Sequence, residues 1–508
     1  MRGNNKLQRQ VEKILDESTK SEIEIIVQME SGRVKSTRLA RAASEALSRR
    51  LQTLSPRDIL PESTDMRRLS KEIKEKTAST RTLLGYSPVA KIKFSDFQKD
   101  ALEPFGYLVE NEMVSKALSR MLEPEKKSEK EKEEISKFWT SRSMPLRLKR
   151  DELKKLPDEV RNIKSIHLNR HLGVPSLVET AKFPAGAENM VSSWGVEKIK
   201  ALSVWGAYRA RGRGVTIGLL DTGVNDAHPD LAGKVEHWAE FDSFGQKVAG
   251  SKPHDTDQHG THCAGILVGS KNSGRFIGMA PEAKLAAALV LKGEKGGTDA
   301  QVLAGIDWAV ERHVDVISLS LGGLVLDVET PPTYTEAILT CIESGIPVVA
   351  AIGNEGEQTT GSPGNDLFAL SVGATDPDDR VAGFSGGRTQ VISESDYILD
   401  KYFPLVYLKP DVSAPGVAIY SSVPGGDWKS FSGTSMAAPH VAGAIALLLS
   451  ATSIKARESG ARRAFTIQDI ICGSVEDLGE AGQDQRYGFG RLDILRAIDF
   501  AHGLGYHI

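Results

Sequence analysis

The chain has 508 residues, 40% of them hydrophobic and 26% charged. That is too long for one ordinary domain, and the balance is that of a globular protein. No apolar run approaches 18 residues, which excludes a membrane-spanning helix, and a net charge of −3 does not suggest a nucleic-acid binder.

The average hides a division. Residues 1–187 hold 38 Lys+Arg against 28 Asp+Glu, a net of +10, and residues 188–508 hold 26 against 39, a net of −13. Only 6 of the 48 glycines precede residue 188. Two kinds of structure are expected, and their opposite charges favour docking on each other. Met1–Lys20 has no apolar segment of the secretory kind, and Cys263, Cys341 and Cys472 are too few for a disulfide framework. Both point to a reducing, cytoplasmic setting.

In chain order, Ser21–Met29 is a short β-rich run. Leu39, Ala42, Ala43, Leu47 and Leu51 form one stripe at helical spacing, and 66–84 and 111–122 read as further helices. The mixed-charge run 122–134 reads as a solvated helix or linker. A short helix starts at Arg150, and Val160–Leu168 alternates like a strand. His167 and His171 stand alone, as surface or packing residues. Nothing up to residue 180 forms a catalytic constellation.

The second part alternates strands and helices. Strands are expected at 215–220, 284–291, 314–321, 346–352 and 367–372. Thr298 with Gln301, and Thr333 with Glu336, have the spacing of capping boxes, and Gly345 stops the second of those helices. Such alternation implies a parallel sheet covered on both faces, with sites beyond the carboxyl ends of its strands, where Asp221, Ser320 and Asn354 fall.

Three stretches carry chemistry. Leu219–Val224 (LLDTGV) puts Asp221 at the end of an apolar strand, where it needs a partner or caps its own turn. His259–Gly265 (HGTHCAG) offers His259 and His262, readable as a metal pair or a packed histidine, with glycines that permit close backbone approach. Phe431–Gly443 (FSGTSMAAPHVAG) places Ser435 at a helix N-terminus, as a plain N-cap or beside backbone N–H groups that would face an anion.

Taken together, in the order Asp, His, Ser, these segments resemble those of the subtilisin-like serine peptidases over about residues 190–500. The sequence HGTHC is similar to the proteinase K side of that superfamily, with Cys263 as a buried thiol. The resemblance implies an α/β, doubly wound parallel sheet with helices on both faces, preceded by an α+β prodomain-like region. That region would span 1–187, with a helical insertion over about 35–140, and the catalytic domain 188–508. The implied activity is a serine endopeptidase acting through Asp221, His259 and Ser435, with Asn354 in the oxyanion site. Ser320, Leu321, Gly322, Gly353 and Gly361 would bind substrate, and Gly293–Gly297 would pair with its other edge.

The implied substrates are proteins or peptides, with no nucleic acid and no membrane as partners. No cofactor is required and no metal is assigned. Asp230 and Asn272 match calcium-ligand positions, whereas Met190 and Arg275 stand where further ligands are expected. Residues 1–187 would be an intramolecular inhibitory region, making the chain an autoinhibited zymogen with its junction near 181–191. The competing reading is a latent or regulatory protease whose helical N-terminal part mainly binds a partner. Residues 391–407 extend a loop that could gate access or bind a partner.

Overall fold

The computed structural model of the chain describes residues 9–17, 20–30, 98, 101–102, 105–121, 136–173, 178–179, 191–327, 332–398 and 402–508. The helices expected at 38–54 and 66–84, the run 122–134 and the junction at 181–190 lie outside these residues.

The N-terminal unit is built on strand β1 (Glu22–Met29), which lies between β2 (Ser143–Lys149) and β3 (Ile163–Leu168) in an antiparallel sheet. Period-two alternation sends Ile23, Ile25, Val27 and Met29 to one face. There they meet Val11 of α1 (Arg9–Glu17), Leu108 of α2 (Phe105–Glu110), Val114 of α3 (Glu112–Met121) and Leu153 of α4 (Arg150–Glu159). Ile26 points the other way and joins the core of the second unit.

The second unit is a seven-stranded, wholly parallel sheet. Its members are β6 (Thr216–Asp221), β7 (Val235–Glu240), β8 (Lys284–Leu289), β10 (Val316–Leu319), β12 (Val348–Ala351), β14 (Leu370–Thr375) and β17 (Val412–Pro415). The spatial order is β17-β14-β12-β10-β6-β8-β7. Because both faces are covered, the inner strands are mostly apolar and their residues are shared between two cores, whereas the edge strand β7 (VEHWAE) carries Glu236, His237 and Glu240. Ile217, Leu219, Val349 and Ala351 pack with α5 (His259–Val268) and α8 (Thr434–Ala451). Leu220, Val348 and Ala350 pack with α6 (Asp299–Glu311) and α7 (Thr335–Glu343).

Two expectations need correction. Helix α8 is long and apolar enough, by composition, to cross a membrane, yet it is almost wholly buried in this core. The capping box at Thr298 and Gln301 forms with both hydrogen bonds, but the one at Thr333 and Glu336 does not. Its helix starts later, and Glu336 is drawn instead into a buried ion pair with Arg142.

That pair belongs to the seam between the units. Glu336 also accepts from Gln28 Nε2 at 2.9 Å and from the Tyr397 hydroxyl at 2.6 Å, and Lys164 Nζ donates to Tyr397 at 2.7 Å. Asp307, on α6, accepts from the backbone N–H groups of Trp139 (2.7 Å) and Thr140 (3.1 Å) and from the Thr140 hydroxyl. The N-terminal sheet therefore rests on α6 and α7. The extended loop brings Tyr397 to the same seam.

Candidate active site

Strand β6 ends at Asp221, inside the sheet between β10 and β8. The Thr222 N–H donates to Oδ1 at 2.7 Å, and Nδ1 of His259 meets the same oxygen at 2.6 Å. Both side chains are buried.

His259 is the first residue of α5, and its place is fixed from behind. Asp255 accepts from the Thr222 hydroxyl at 2.8 Å, from the Thr261 N–H at 2.8 Å and from the Thr261 hydroxyl at 2.5 Å. The Gly260 N–H donates to Thr222 Oγ1 at 2.9 Å, and a Cβ on Gly260 would lie 2.0 Å from the Gly223 carbonyl oxygen. Neither Thr222 nor Asp255 was picked out in the sequence, since the two meet across 33 residues of chain.

Ser435 is the second residue of α8. Its hydroxyl donates to the Ser320 carbonyl at 3.2 Å, just beyond the end of β10. Cys263, one turn along α5, donates its thiol to the Ser435 carbonyl at 3.4 Å and lies 3.8 Å from His259 Nδ1. The thiol thus touches both histidine and serine segments. Nε2 of His259 is buried and has no hydrogen-bond partner.

Burial opposes a charge on His259, but the adjacent Asp221 carboxylate outweighs it and holds the imidazole pKa well above its ordinary value. Burial pushes the Cys263 thiol upward, so it stays protonated and adds no charge there at neutral pH. His262 behaves differently. Burial drives its pKa down to about 3, its Nε2 meets the Lys429 carbonyl at 3.1 Å, and its ring packs on Phe431. It is a neutral packing residue and no part of a metal pair. Among the described residues, the one group of three or more acid, histidine or cysteine side chains close enough to share an ion is Asp221, His259 and Cys263 themselves.

Asn354 sits on the loop after β12. Its Oδ1 accepts from the Thr434 N–H at 2.8 Å and hydroxyl at 2.9 Å, which aims the amide nitrogen towards Gly433. A Cβ placed on Gly433 would lie 3.3 Å from Asn354 Nδ2 and 3.6 Å from Ser435 N. Two N–H donors therefore converge beside the serine, in a space that glycine keeps open.

The predicted substrate segments frame this point. After Ser320, Leu321 and Gly322, strand β11 (Gly323–Val325) pairs antiparallel with β13 (Thr360–Ser362), setting Leu324 opposite Gly361, and a Cβ on Gly322 would lie 3.7 Å from Gly361 Cα. Gly353 closes the other side: its N–H lies 3.3 Å from Thr434 Oγ1, and its φ of +118° excludes a side chain at low cost.

Two short strands of the N-terminal part enter the same region. Strand β4 (His171–Leu172) pairs antiparallel with β9 (Gly297–Thr298), and β5 (Val178–Glu179) pairs antiparallel with Phe431 and Ser432 of β19 (Asp427–Ser432). Ser432 is three residues from Ser435.

At the positions matched to calcium ligands, Asp230 Oδ1 accepts from the Asn272 N–H at 2.6 Å and Nδ2 at 3.1 Å, and Oδ2 from Trp428 Nε1 at 2.7 Å. N–H donors hold both oxygens, and the Asn272 amide presents its nitrogen to the carboxylate. The donor set does not fit a cation here.

The subtilase family model matches residues 212–490. An intracellular serine protease of Paenibacillus polymyxa is 37% identical over 262 residues, covering 50% of this chain and 72% of that protein. Thermitase of Thermoactinomyces vulgaris is 35% identical over 309 residues, covering 60% of this chain and 96% of that protein. Subtilisin E of Bacillus subtilis is 35% identical over 266 residues, covering 51% of this chain and 61% of that protein.

Proposed function

We propose the following reading of a chain that belongs to the subtilase family. It is a serine endopeptidase that hydrolyses peptide bonds of proteins or peptides and needs no cofactor for the chemistry. Ser435 is its nucleophile, His259 its general base and Asp221 the orienting carboxylate. One observation carries these assignments. Nδ1 of His259 is tied to Asp221, so the tautomer is fixed, while the buried Nε2 remains free to take a proton.

In the resting state the Ser435 hydroxyl points at the Ser320 carbonyl. Rotation about its χ1 brings it towards Nε2. Oγ then attacks the scissile carbonyl carbon, its proton passes to Nε2, and the carbonyl π pair becomes an oxyanion. Asn354 Nδ2 and Ser435 N are placed to donate to that oxygen. Collapse expels the amine, which takes the proton from His259, and leaves an acyl-enzyme. Water, deprotonated by His259, repeats the sequence and frees the acid. Ser320–Gly322 and Gly353 form the walls of the first specificity pocket, and Gly361 its rear.

The N-terminal residues 1–187 act as an intramolecular inhibitor, and the chain is a zymogen. The support is strand addition on both sides of Ser435, by β4 on β9 and by β5 on β19, which occupies the edges a peptide substrate would use. The charge opposition between the units supports it as well. We assign no calcium to Asp230, whose oxygens N–H donors already hold. The three cysteines, none in a disulfide, suit intracellular action, as does the name of the Paenibacillus relative.

Mass spectrometry of purified wild type beside Ser435→Ala tests this reading. Cleavage between residues 170 and 195 in wild type and an intact chain in Ser435→Ala is the expected result. Identical cleavage in both would refute self-processing by Ser435.

A further inference from the structure

Asp299 is the first residue of α6 and is fully buried. Its carboxylate is gripped by Arg170: Nε meets Oδ2 at 2.8 Å and Nη2 meets Oδ1 at 3.0 Å, a two-pronged contact of the strong kind. Arg170 Nη2 also lies 3.3 Å from Ser362 Oγ. The two backbones join in the same ladder. The Asp299 N–H donates to the Arg170 carbonyl at 3.1 Å, and the Arg170 N–H to Asp299 Oδ2 at 3.1 Å.

Everything else that holds Asp299 belongs to the catalytic unit. The Thr298–Gln301 capping box fixes the helix start, the helix N-terminus favours the negative charge, and the Tyr334 hydroxyl donates to Oδ1 at 2.6 Å from behind. Arg170, in contrast, arrives on the strand that continues into β4, where His171 faces Thr298 and Leu172 faces Gly297. Leu172 is fully buried, with Cδ2 3.0 Å from the position of a Cβ on Gly323. A leucine thus lies on glycine, and an arginine two residues earlier meets a carboxylate. When this strand departs, the apolar seat empties and Asp299 loses its cation, an uncompensated state that favours capture of another one.

We propose that Asp299 is an acidic substrate subsite selecting an arginine two residues before the residue that pairs with Gly297 and seats its side chain on Gly323. Preferred substrates then carry Arg-x-Leu, or Arg-x before another apolar residue, upstream of the bond that is cut. The proposal rests on the endopeptidase reading above and on substrate following the lane of residues 170–172.

The test uses the full-length protein, incubated until self-processing stops. Two internally quenched peptides are compared, identical except for Arg or Gln two residues before the leucine. The arginine peptide is expected to be cut with a kcat/KM about 10- to 100-fold higher, with most of the difference in KM. In Asp299→Asn the ratio should fall to within about threefold, the loss falling on the arginine peptide. Equal rates in wild type, or a ratio that survives in Asp299→Asn, would overturn the proposal. Should that variant lose all activity, a third peptide with Glu at the same position decides on wild type alone. It must be cut more slowly than the glutamine peptide, and equal cutting overturns the subsite. Hydrolysis of none of the peptides by wild type would instead sink the peptidase reading, and the subsite with it.

Discussion

Arg142, in the turn just before β2, and Glu336, on α7, meet at 2.5 Å where neither side chain reaches solvent. The pair joins the N-terminal sheet to a helix of the catalytic unit. Removing one member of a buried pair strands the other, at a cost of about 3–5 kcal/mol. In a Ser435→Ala background, which the proposed self-processing would leave intact, Arg142→Ala should loosen the N-terminal unit. Hydrogen exchange over 139–149 is the measurement. Faster exchange there, with little change in β6 or β12, is expected.

Asp307 gives the same seam a pH dependence. Burial pushes its carboxyl up to about 7; hydrogen bonds from Thr140 and Trp139 act the other way, and Glu311 adds to the rise. A raised pKa means the folded chain holds this proton more tightly than the unfolded chain does. The stabilisation is then full below the ordinary carboxyl range and is lost as pH rises through about 7. Asp307→Asn, again on Ser435→Ala, should flatten the fall in melting temperature between pH 5 and 8. An unchanged slope would contradict this account.

The acid limb of activity reports His259. The base works only when neutral, so activity falls as pH drops through its pKa, which Asp221 holds above the ordinary value. Asp221→Asn removes that support. Its acid limb should move to lower pH, while kcat drops about 10⁴-fold through loss of the tautomer. An acid limb that stays in place would show that another group sets it.

Asn354→Ala removes one of the two donors beside Ser435. An oxyanion forms only during reaction, so the loss should fall on kcat, by about 10²–10³-fold, with KM little changed. A rise in KM at constant kcat would place Asn354 in ground-state binding instead.

The centre of the site was legible because its signals are local. HGTHCAG announces its glycines, and both are needed: a Cβ on Gly260 would meet the Gly223 carbonyl oxygen at 2.0 Å, and one on Gly265 would meet Ser421 Oγ at 2.2 Å. The inner strands of the parallel sheet were legible for a related reason, since covering on both faces makes them mostly apolar; the edge strands β7 (VEHWAE) and β17 (VSAP) lack such a run and were not expected. The Asp255–Thr222 brace was not, because nothing in either residue's neighbourhood marks the other. Strands β4 and β5, at two residues each, are too short for any periodicity, so the grip of Arg170 on Asp299 was invisible. The misread cap at Thr333 has a tertiary cause: Glu336 answers to Arg142, 194 residues earlier, and not to its own helix start.

The most direct test of the nucleophile compares peptide hydrolysis by wild type and Ser435→Ala, both incubated full-length, with melting temperatures recorded in parallel. The account predicts a fall of about 10⁶-fold in kcat at an unchanged melting temperature. Comparable hydrolysis by the two proteins would contradict it.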